Sequence, residues 1–238
     1  MATGVIGYIP AKGRSRGISS KNMVLLGGRP LVEYSIRLAV QSGLFDAVFV
    51  STDSSSIRAL ARAAGAETID RPTQLAGDAT RVAEVLAHDI PVMAQRCGSF
   101  ALIACLLPTS PLRRLHDLQT AISLAQKLPD APTIVSLGEL PCGIEQVVTL
   151  DESTRHIMAA FGIDNLTNRS QRQSHRKVYY PNGSIVIVRN DLFLRDPRFY
   201  VENATVGFPI DAIGGIDIDS AEDLEIAELI LRGMGNAS

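Results

Sequence analysis

The sequence predicts an α/β fold built on an open, mostly parallel sheet with helices on both faces. Two observations support this prediction. Strand-like apolar runs alternate with helical segments five times between residues 4 and 138, which is the pattern of a parallel sheet covered on both sides. The chain has 238 residues, of which 46% are hydrophobic and 20% charged, and this is enough for one such domain with a sizeable core.

The first half of the chain supplies three strands and three helices. The strands are GVIGYIP, AVFVST and AETID. The first helix starts at Pro30 and stops before Gly43, and the second stops at Gly65, since proline favours helix starts and glycine favours helix ends. A third helix begins near Arg81, and we expect Pro91 to end or kink it because proline cannot donate a backbone hydrogen bond.

The second half completes the sheet around an irregular segment. FALIACLLP and TIVSL are strands, with the helix LHDLQTAISLAQKL between them, and GSIVIV returns to the sheet. Between residues 139 and 177 the helical rhythm fails, and the strand-like QVVTL and HIMAAF favour an ordered lobe over a disordered insert. Ser220 and Asp223 form a capping-box pattern for the last helix. The predicted division is an α/β domain at 1–138 and 178–238, with an inserted lobe at 139–177.

Composition excludes several classes of protein. The formal net charge is −2, whereas a general nucleic-acid binder shows a basic excess. The longest apolar run is too short to span a bilayer, and the N-terminus lacks the pattern of a signal peptide. The three cysteines have no metal-ligand spacing. We therefore expect a cytoplasmic protein with no nucleic-acid or membrane partner.

A cationic loop, IPAKGRSRGISSKN, follows the first strand. Four cations and two glycines share it: Lys12, Gly13, Arg14, Arg16, Gly17 and Lys21. The spacing matches neither a Walker A loop nor a dinucleotide fingerprint. Ligands of open sheets bind beyond the carboxyl ends of the strands, so we expect the loops at 11–21, 51–53 and 108–113 to gather at one edge. The loop is then either a triphosphate cradle or a solvated turn.

Two carboxylates at the other end of the chain are candidate metal ligands. Asp217 and Asp219 alternate along an extended segment, which would place both on one side. Paired carboxylate oxygens suit Mg²⁺, which commonly shares them with substrate phosphates. The alternative is that Asp219 merely supports the following helix N-terminus.

Six motifs, in order along nearly the whole chain, carry a resemblance to a known family. They are IPAKGRSRGISSKN, GLFDAVFVSTD, RPTQLAGDAT, LLPTSPLR, YYPNGSIVIV and DIDSAEDLEIAE. In these motifs the chain resembles the CMP-sialic acid synthetases (acylneuraminate cytidylyltransferases), which have a nucleotidyltransferase, Rossmann-like fold. The resemblance implies transfer of CMP from CTP to a nine-carbon 2-keto sugar acid, with release of pyrophosphate and Mg²⁺ as cofactor.

The resemblance also implies roles for individual residues. The nucleotide-binding residues would be Lys12, Gly13, Arg16, Lys21, Asn22, Arg71, Asp78 and Thr80. The sugar-binding residues would be Leu107, Thr109, Ser110, Arg172, Gln173, Tyr180 and Asn182. Asp217 and Asp219 would carry the metal; Lys21 would offset charge on the leaving pyrophosphate, and Asp217 is a further candidate for accepting the hydroxyl proton. The 139–177 segment would be the family's dimerisation lobe, which implies a homodimer.

Four positions depart from the family pattern. Lys12 replaces an arginine and so keeps the charge but not a bidentate grip. Leu107 replaces the glutamine of LQPTSPLR, Tyr180 replaces an arginine before PNG, and Val82 replaces a serine. Because a site that hydrogen-bonds its substrate discriminates strongly by that contact, these changes either alter the choice of acid or are neutral.

Four alternatives remain open at this point. The first is the same reaction on another acid: legionaminic or pseudaminic acid, a deaminated sialic acid, an octulosonate or a phosphonate. Octulosonate enzymes usually carry a QGDEP-like motif where this chain has LPTSPLR. The second is a glycosyltransferase, because DID is formally a DxD motif. The third is a non-catalytic nucleotide-binding protein, which the departures from the family pattern would allow, and the fourth is a structural or scaffold protein, which no feature of the sequence favours.

Overall fold

A computed structural model describes residues 3–15, 18–162 and 177–235. The strands are β1 (Val5–Pro10), β2 (Leu25–Leu26), β3 (Arg29–Pro30), β4 (Ala47–Thr52), β5 (Glu67–Asp70), β6 (Leu102–Cys105), β7 (Thr133–Glu139), β8 (Val148–Leu150), β9 (Ile157–Ala159), β10 (Tyr179–Arg189) and β11 (Val206–Pro209). The helices are α1 (Leu31–Gln41), α2 (Ser55–Ala63), α3 (Val82–Cys97), α4 (Leu115–Lys127), α5 (Asn190–Phe193) and α6 (Ala221–Gly235).

The main sheet has seven strands in the order β11-β7-β10-β6-β1-β4-β5. Neighbouring strands run parallel except where β10 lies antiparallel between β6 and β7. The predicted open, mostly parallel sheet is therefore confirmed. Because β1, β4 and β6 are adjacent and parallel, the loops that follow them leave the sheet at the same edge.

Helices cover both faces of the sheet, as predicted. Residues of α1, α2 and α4 pack on one face in a single apolar cluster, and α3 and α5 pack on the other. Side chains alternate between the two faces of β1, so this strand contributes to both clusters. Val5 and Ile9 belong to the first cluster, and Ile6 and Tyr8 belong to the second. The rigid core thus fixes where the loops at the sheet edge begin.

The sequence predicted that Pro91 would end or kink the third helix. The helix does not end there. It continues as α3 from Val82 to Cys97. Pro91 itself is exposed, while Ile90 and Met93 are buried in the core cluster. The packing of these neighbours offsets the lost hydrogen bond, whose usual cost is about 3 kcal/mol.

Two smaller units complete the described residues. The strand-like segments of the 139–177 region form the antiparallel hairpin β8–β9. Helix α6 begins with the predicted capping box, in which Ser220 N–H donates to Asp223 Oδ2 (2.8 Å) and Asp223 N–H donates to Ser220 Oγ (3.2 Å). Within the described chain, no helix combines the length and apolar character needed to cross a bilayer.

Candidate active site

Three loops meet at the carboxyl edge of the sheet, as the sequence predicted. The Ala11 amide donates to the Ser51 carbonyl (2.9 Å), and the Leu106 amide donates to the Tyr8 carbonyl (2.9 Å). These bonds carry the sheet pairing one residue past the strands, so the loops after β1, β4 and β6 start side by side. A cavity of about 390 Å³ opens between the loops after β1 and β6 and the segment after β5.

This cavity, called the cationic cavity below, collects most of the residues expected to bind a nucleotide. Its lining includes Lys12, Lys21, Asn22, Arg71, Asp78, Thr80, Val82, Leu107, Thr109 and Asp219. All of the described nucleotide-site candidates lie in this lining except Gly13. The chain segments that supply them are far apart in sequence and are joined only by the fold.

Both lysines of the cationic cavity form ion pairs with aspartates across it. Lys12 Nζ lies 2.6 Å from Asp78 Oδ1, and Lys21 Nζ lies 2.7 Å from Asp219 Oδ1. Ion pairs this accessible to solvent contribute only about 0–1 kcal/mol. A polyanion can therefore replace the aspartates as the partner of either lysine at little cost.

The opening loop is held by its own polar contacts. Asn22 is buried, and its side-chain amide donates to the Lys12 carbonyl (2.8 Å). The Gly13 amide donates to Asp53 Oδ1 (2.7 Å), and a Cβ at Gly13 would lie 3.0 Å from Ser54 Cβ. The Gly13 amide therefore contacts the protein rather than the cavity, and its glycine is needed for close approach to the loop after β4.

A second cavity, of about 550 Å³, adjoins Asp217 and is called the acidic cavity below. Its lining includes Gly138, Glu139, Tyr180, Asn182, Asp211, Gly215, Asp217 and Asp223. Two of its carboxylates are already paired, Glu139 with Lys177 (2.9 Å) and Asp211 with Arg114. Carboxylate oxygens accept hydrogen bonds, so this wall suits a ligand rich in hydroxyl groups.

The two carboxylates expected to share one side instead line neighbouring cavities. Asp217 lines the acidic cavity and Asp219 the cationic cavity. The Ile218 amide between them donates to the Thr109 carbonyl (2.8 Å), which anchors the segment to the loop after β6. Residues 217–219 therefore form the boundary between the two cavities, a placement that the alternation of side chains alone does not reveal.

Asp217 lies in an unusual electrostatic setting. Burial raises the pKa of its carboxyl, and the charges of Asp219 and Asp223 raise it further, while a hydrogen bond from Thr109 and the charge of Lys21 oppose the shift. A bound cation would relieve this repulsion. No group of three or more His, Cys, Asp or Glu side chains within the described ranges could hold a metal unaided, so a metal here would need oxygens from a ligand, as Mg²⁺ commonly does.

Asn182 presents a buried donor at the wall of the acidic cavity. Its Oδ1 accepts from Ser136 Oγ (2.6 Å) and from the Ser184 amide (3.2 Å). Its Nδ2 has no acceptor among the described residues, although the side chain is 95% buried. A bulge in β10, where Gly183 has a φ of +71°, turns Asn182 to this position. Buried amide donors are normally paired, and this one packs closely against Gly215, where an added Cβ would lie 2.6 Å from Nδ2.

Three residues that depart from the family pattern, Tyr180, Leu107 and Val82, line the cavities of this region. The Tyr180 ring lies over Gly138, where a Cβ would come within 2.7 Å of the ring. Leu107 separates the cationic cavity from a third, apolar cavity of about 480 Å³, and Val82 borders both. Ser110, a sugar-site candidate, is fully buried and lines none of the three cavities.

Arg113 is a residue whose importance the sequence did not reveal. It is almost fully buried and donates to the Ser184 carbonyl (2.7 Å), to Ser35 Oγ (3.2 Å) and to the Leu107 carbonyl (2.9 Å). Burial lowers the pKa of its guanidinium to about 10. The side chain therefore ties the loop after β6 to β10 and α1. The only feature of the sequence that pointed to Arg113 was its position at the end of the LLPTSPLR motif.

Three of the expected site residues, Arg16, Arg172 and Gln173, lie outside the described residues. Apart from Gly13 and Ser110, which line neither cavity, the remaining candidates fall into two groups on either side of residues 217–219. Leu107 and Thr109, which were expected to contact the sugar, lie in the cationic cavity with the nucleotide candidates. Lysines, an arginine and Asp219 lie on one side, and Asp217, Asn182 and Tyr180 lie on the other. The arrangement can hold a polyanion beside a hydroxylated ligand, with Asp217 near their junction.

The chain is similar in sequence to known cytidylyltransferases. The chain is 32% identical to an N-acylneuraminate cytidylyltransferase of Escherichia coli O18:K1:H7 over 95% of this chain and 52% of that protein. It is 28% identical to a pseudaminic acid cytidylyltransferase of Campylobacter jejuni serotype O:2 over 94% of both chains. It spans about half the length of the first N-acylneuraminate relatives.

A solved structure and a family model agree with these likenesses. The structure of CMP:2-keto-3-deoxy-manno-octonic acid synthetase complexed with CTP superposes with a TM-score of 0.72, covering 98% of this chain and all of that chain at 14% identity. At that identity the likeness shows the fold. The family model described as "Cytidylyltransferase" matches residues 6–227. The chain therefore belongs to the cytidylyltransferase family.

Proposed function

We propose that the protein is a CTP-dependent cytidylyltransferase that joins CMP to a nonulosonic acid, a nine-carbon 2-keto sugar acid, and releases pyrophosphate. The observation that carries the proposal is the pair of adjoining cavities, one cationic and one lined by hydroxyl-accepting carboxylates, on either side of residues 217–219. Membership of the cytidylyltransferase family and the names of the relatives point to the same substrates.

In this proposal the cationic cavity binds CTP. Lys12 and Lys21 exchange their aspartate partners for phosphate oxygens, and Arg16, which lies outside the described residues, is the proposed third cation. Arg71, Asp78 and Thr80 lie around the nucleoside end. Lys21 then offsets the charge that builds on the departing pyrophosphate, which is the usual way in which phosphoryl transfer is accelerated.

The acidic cavity would bind the sugar acid. Its carboxylates accept hydrogen bonds from sugar hydroxyls, and Asn182 Nδ2 supplies the buried donor. Arg172 and Gln173 are proposed partners of the acid's own carboxylate. The hydroxyl on the anomeric carbon attacks the α-phosphorus of CTP, a new P–O bond forms, and the bond to the β-phosphate oxygen breaks. Asp217, whose pKa is raised by burial, is the candidate acceptor for the hydroxyl proton.

We further propose that Mg²⁺ is held by Asp217 and Asp219. Their oxygens match the preference of this ion, and the repulsion that raises the pKa of Asp217 fits a site that a cation completes. The ion would supply charge neutralisation for the triphosphate. Thr109 and Lys21 hold the two carboxylates in place on the protein side.

The 139–177 region is proposed to mediate a homodimer. Its described hairpin exposes Leu150, Ile157, Met158 and Phe161, and clustered exposed apolar residues are typical of interaction sites. Sedimentation velocity on the purified chain tests this, since a monomer would contradict it.

The three free cysteines fit a reducing compartment, and we propose that the protein acts in the cytoplasm.

Pyrophosphate release with CTP and Mg²⁺ tests the proposed reaction. The acids to compare are N-acetylneuraminate, legionaminate, pseudaminate, a deaminated sialic acid, an octulosonate and a small phosphonate. We expect turnover with one of the nine-carbon acids. Because Tyr180, which lines the acidic cavity, replaces an arginine of the family pattern, that acid is expected to differ from N-acetylneuraminate in the group that Tyr180 faces. Turnover with only the octulosonate or the phosphonate would contradict the proposed substrate class.

Lys12→Ala and Lys21→Ala are expected to weaken CTP binding by about tenfold each, as for other hydrogen bonds to charged groups, while the KM for the acid changes little. Titration calorimetry with CTP, together with the KM for the acid, measures both effects. Lys127→Ala, at the exposed end of α4, is the matched control. Weaker binding of the acid alone would mean that the two cavities have the opposite assignments.

A further inference from the structure

A buried hydrogen-bonded pair lies beneath the cationic cavity. Tyr8 and Asp89 are both fully buried, and Tyr8 Oη donates to Asp89 Oδ2 (2.8 Å). The other oxygen of Asp89 lies 2.9 Å from Nδ1 of His88, which reaches the surface. Burial, and then the charge of Asp89, raise the pKa of Tyr8, so its hydroxyl stays protonated and can only donate to this carboxylate.

The pair is connected to Arg71 through Ser51. Ser51 lies two residues after Phe49, the partner of Tyr8 in the β1–β4 register, and so shares its face of the sheet. The Ser51 hydroxyl accepts from Arg71 Nε (3.3 Å), and the Ser51 carbonyl accepts from Arg71 Nη2 (3.0 Å). Hydrogen bonding by Ser51 also acts to lower the pKa of Tyr8, against the larger effect of burial, which places the Ser51 side chain beside the Tyr8 hydroxyl. These groups are thus arranged in a line from the guanidinium to the buried carboxylate.

This chain of groups is costly for a purely structural element. The surrounding cluster is apolar, with Phe49, Leu86 and Ile103 packed nearby. A buried carboxylate and phenol in such a core stabilise a protein less than a well-packed apolar pair would. Aligned hydrogen bonds in a low dielectric strengthen one another, and this alignment ends at a side chain that lines the cationic cavity.

We propose that Tyr8 and Asp89 are positioning residues for Arg71. Through Ser51 they hold the guanidinium in one orientation at the cavity wall, with the N–H bonds that do not donate to Ser51 directed to the nucleoside end of the ligand. The inference rests on the proposed function, because it takes CTP as the ligand of the cationic cavity. It predicts that removing one hydroxyl in the core changes nucleotide affinity without any change in the cavity lining.

Tyr8→Phe tests this, since phenylalanine keeps the ring and its packing. We expect the Kd for CTP, measured by titration calorimetry on the full chain, to rise by about tenfold, with the KM for the acid unchanged. Ser51→Ala is expected to have a similar effect. The double variant should bind CTP no more weakly than whichever single variant has the higher Kd, because both residues act through one chain of contacts. Ile103→Val, in the same cluster, should lower stability but leave the Kd for CTP unchanged.

Asp89→Asn gives a second measurement, because it keeps the side-chain shape and an acceptor for Tyr8 but removes the charge. A smaller loss of CTP affinity is expected than for Tyr8→Phe. If both variants bind CTP as the wild type does, the pair is only structural and the inference is overturned. Additive effects of Tyr8→Phe and Ser51→Ala would also overturn it. If the wild type fails to bind CTP, the proposed function falls first and this inference with it.

Discussion

Asp217→Asn is expected to lower CTP- and Mg²⁺-dependent pyrophosphate release by about 100- to 1000-fold, the usual cost of removing one group that stabilises developing charge. The change removes a proposed metal ligand and the candidate proton acceptor at the boundary of the two cavities. Asparagine can still accept a hydrogen bond from Thr109. Initial rates at saturating CTP measure the effect.

The fold should survive this change. Asp219 and Asp223 repel the Asp217 carboxylate, so the neutral amide leaves the free energy of unfolding unchanged or slightly higher. Glu67→Gln is the matched control, since it neutralises an exposed carboxylate that pairs with Arg96 and lines none of the three cavities. Wild-type turnover in Asp217→Asn, or an equal loss in Glu67→Gln, would contradict the proposed metal site.

Arg113→Met is expected to lower the free energy of unfolding by about 3 kcal/mol or more, because removing a buried, hydrogen-bonded charge leaves its partners unpaired. Three acceptors lose the Arg113 donor: the carbonyl of Ser184, the hydroxyl of Ser35 and the carbonyl of Leu107. Of these, the Leu107 carbonyl still accepts from Ser35 Oγ and from the Ser110 amide. Urea denaturation measures the loss. Arg113→Lys should recover part of it, since lysine keeps the charge but cannot reach all three acceptors in one geometry.

Arg114→Met is the matched control for this prediction. Arg114 is the next residue along the chain, but its side chain is 42% exposed and pairs with the half-exposed Asp211. An exposed pair of this kind contributes about 0–1 kcal/mol, so the control should lose little stability. Equal losses in the two variants would show that Arg113 does not tie the loop after β6 to β10.

The sequence alone was sufficient to predict most of the scaffold. Apolar runs and helical periodicity located the helices and the main-sheet strands of residues 4–138, because buried positions repeat with the period of each element. They did not locate the short hairpin β2–β3. The capping box at Ser220 and the convergence of three loops followed from local and topological rules. Pro91 was the exception, since burial of its neighbours on α3 outweighed a local breaker.

The tertiary structure decided how those parts meet. Side-chain alternation could not show that Asp217 and Asp219 line different cavities, because that depends on how the loop after β6 is anchored. Arg113, and the chain from Arg71 to Asp89, have partners that are distant in sequence and local patterns do not record them. The sequence by itself determined the α/β fold and the residue types for a polyanion and a cation. Only the packing of β1, β4, β6 and β10 determined which of those residues face one another, because long-range contacts depend on the whole core.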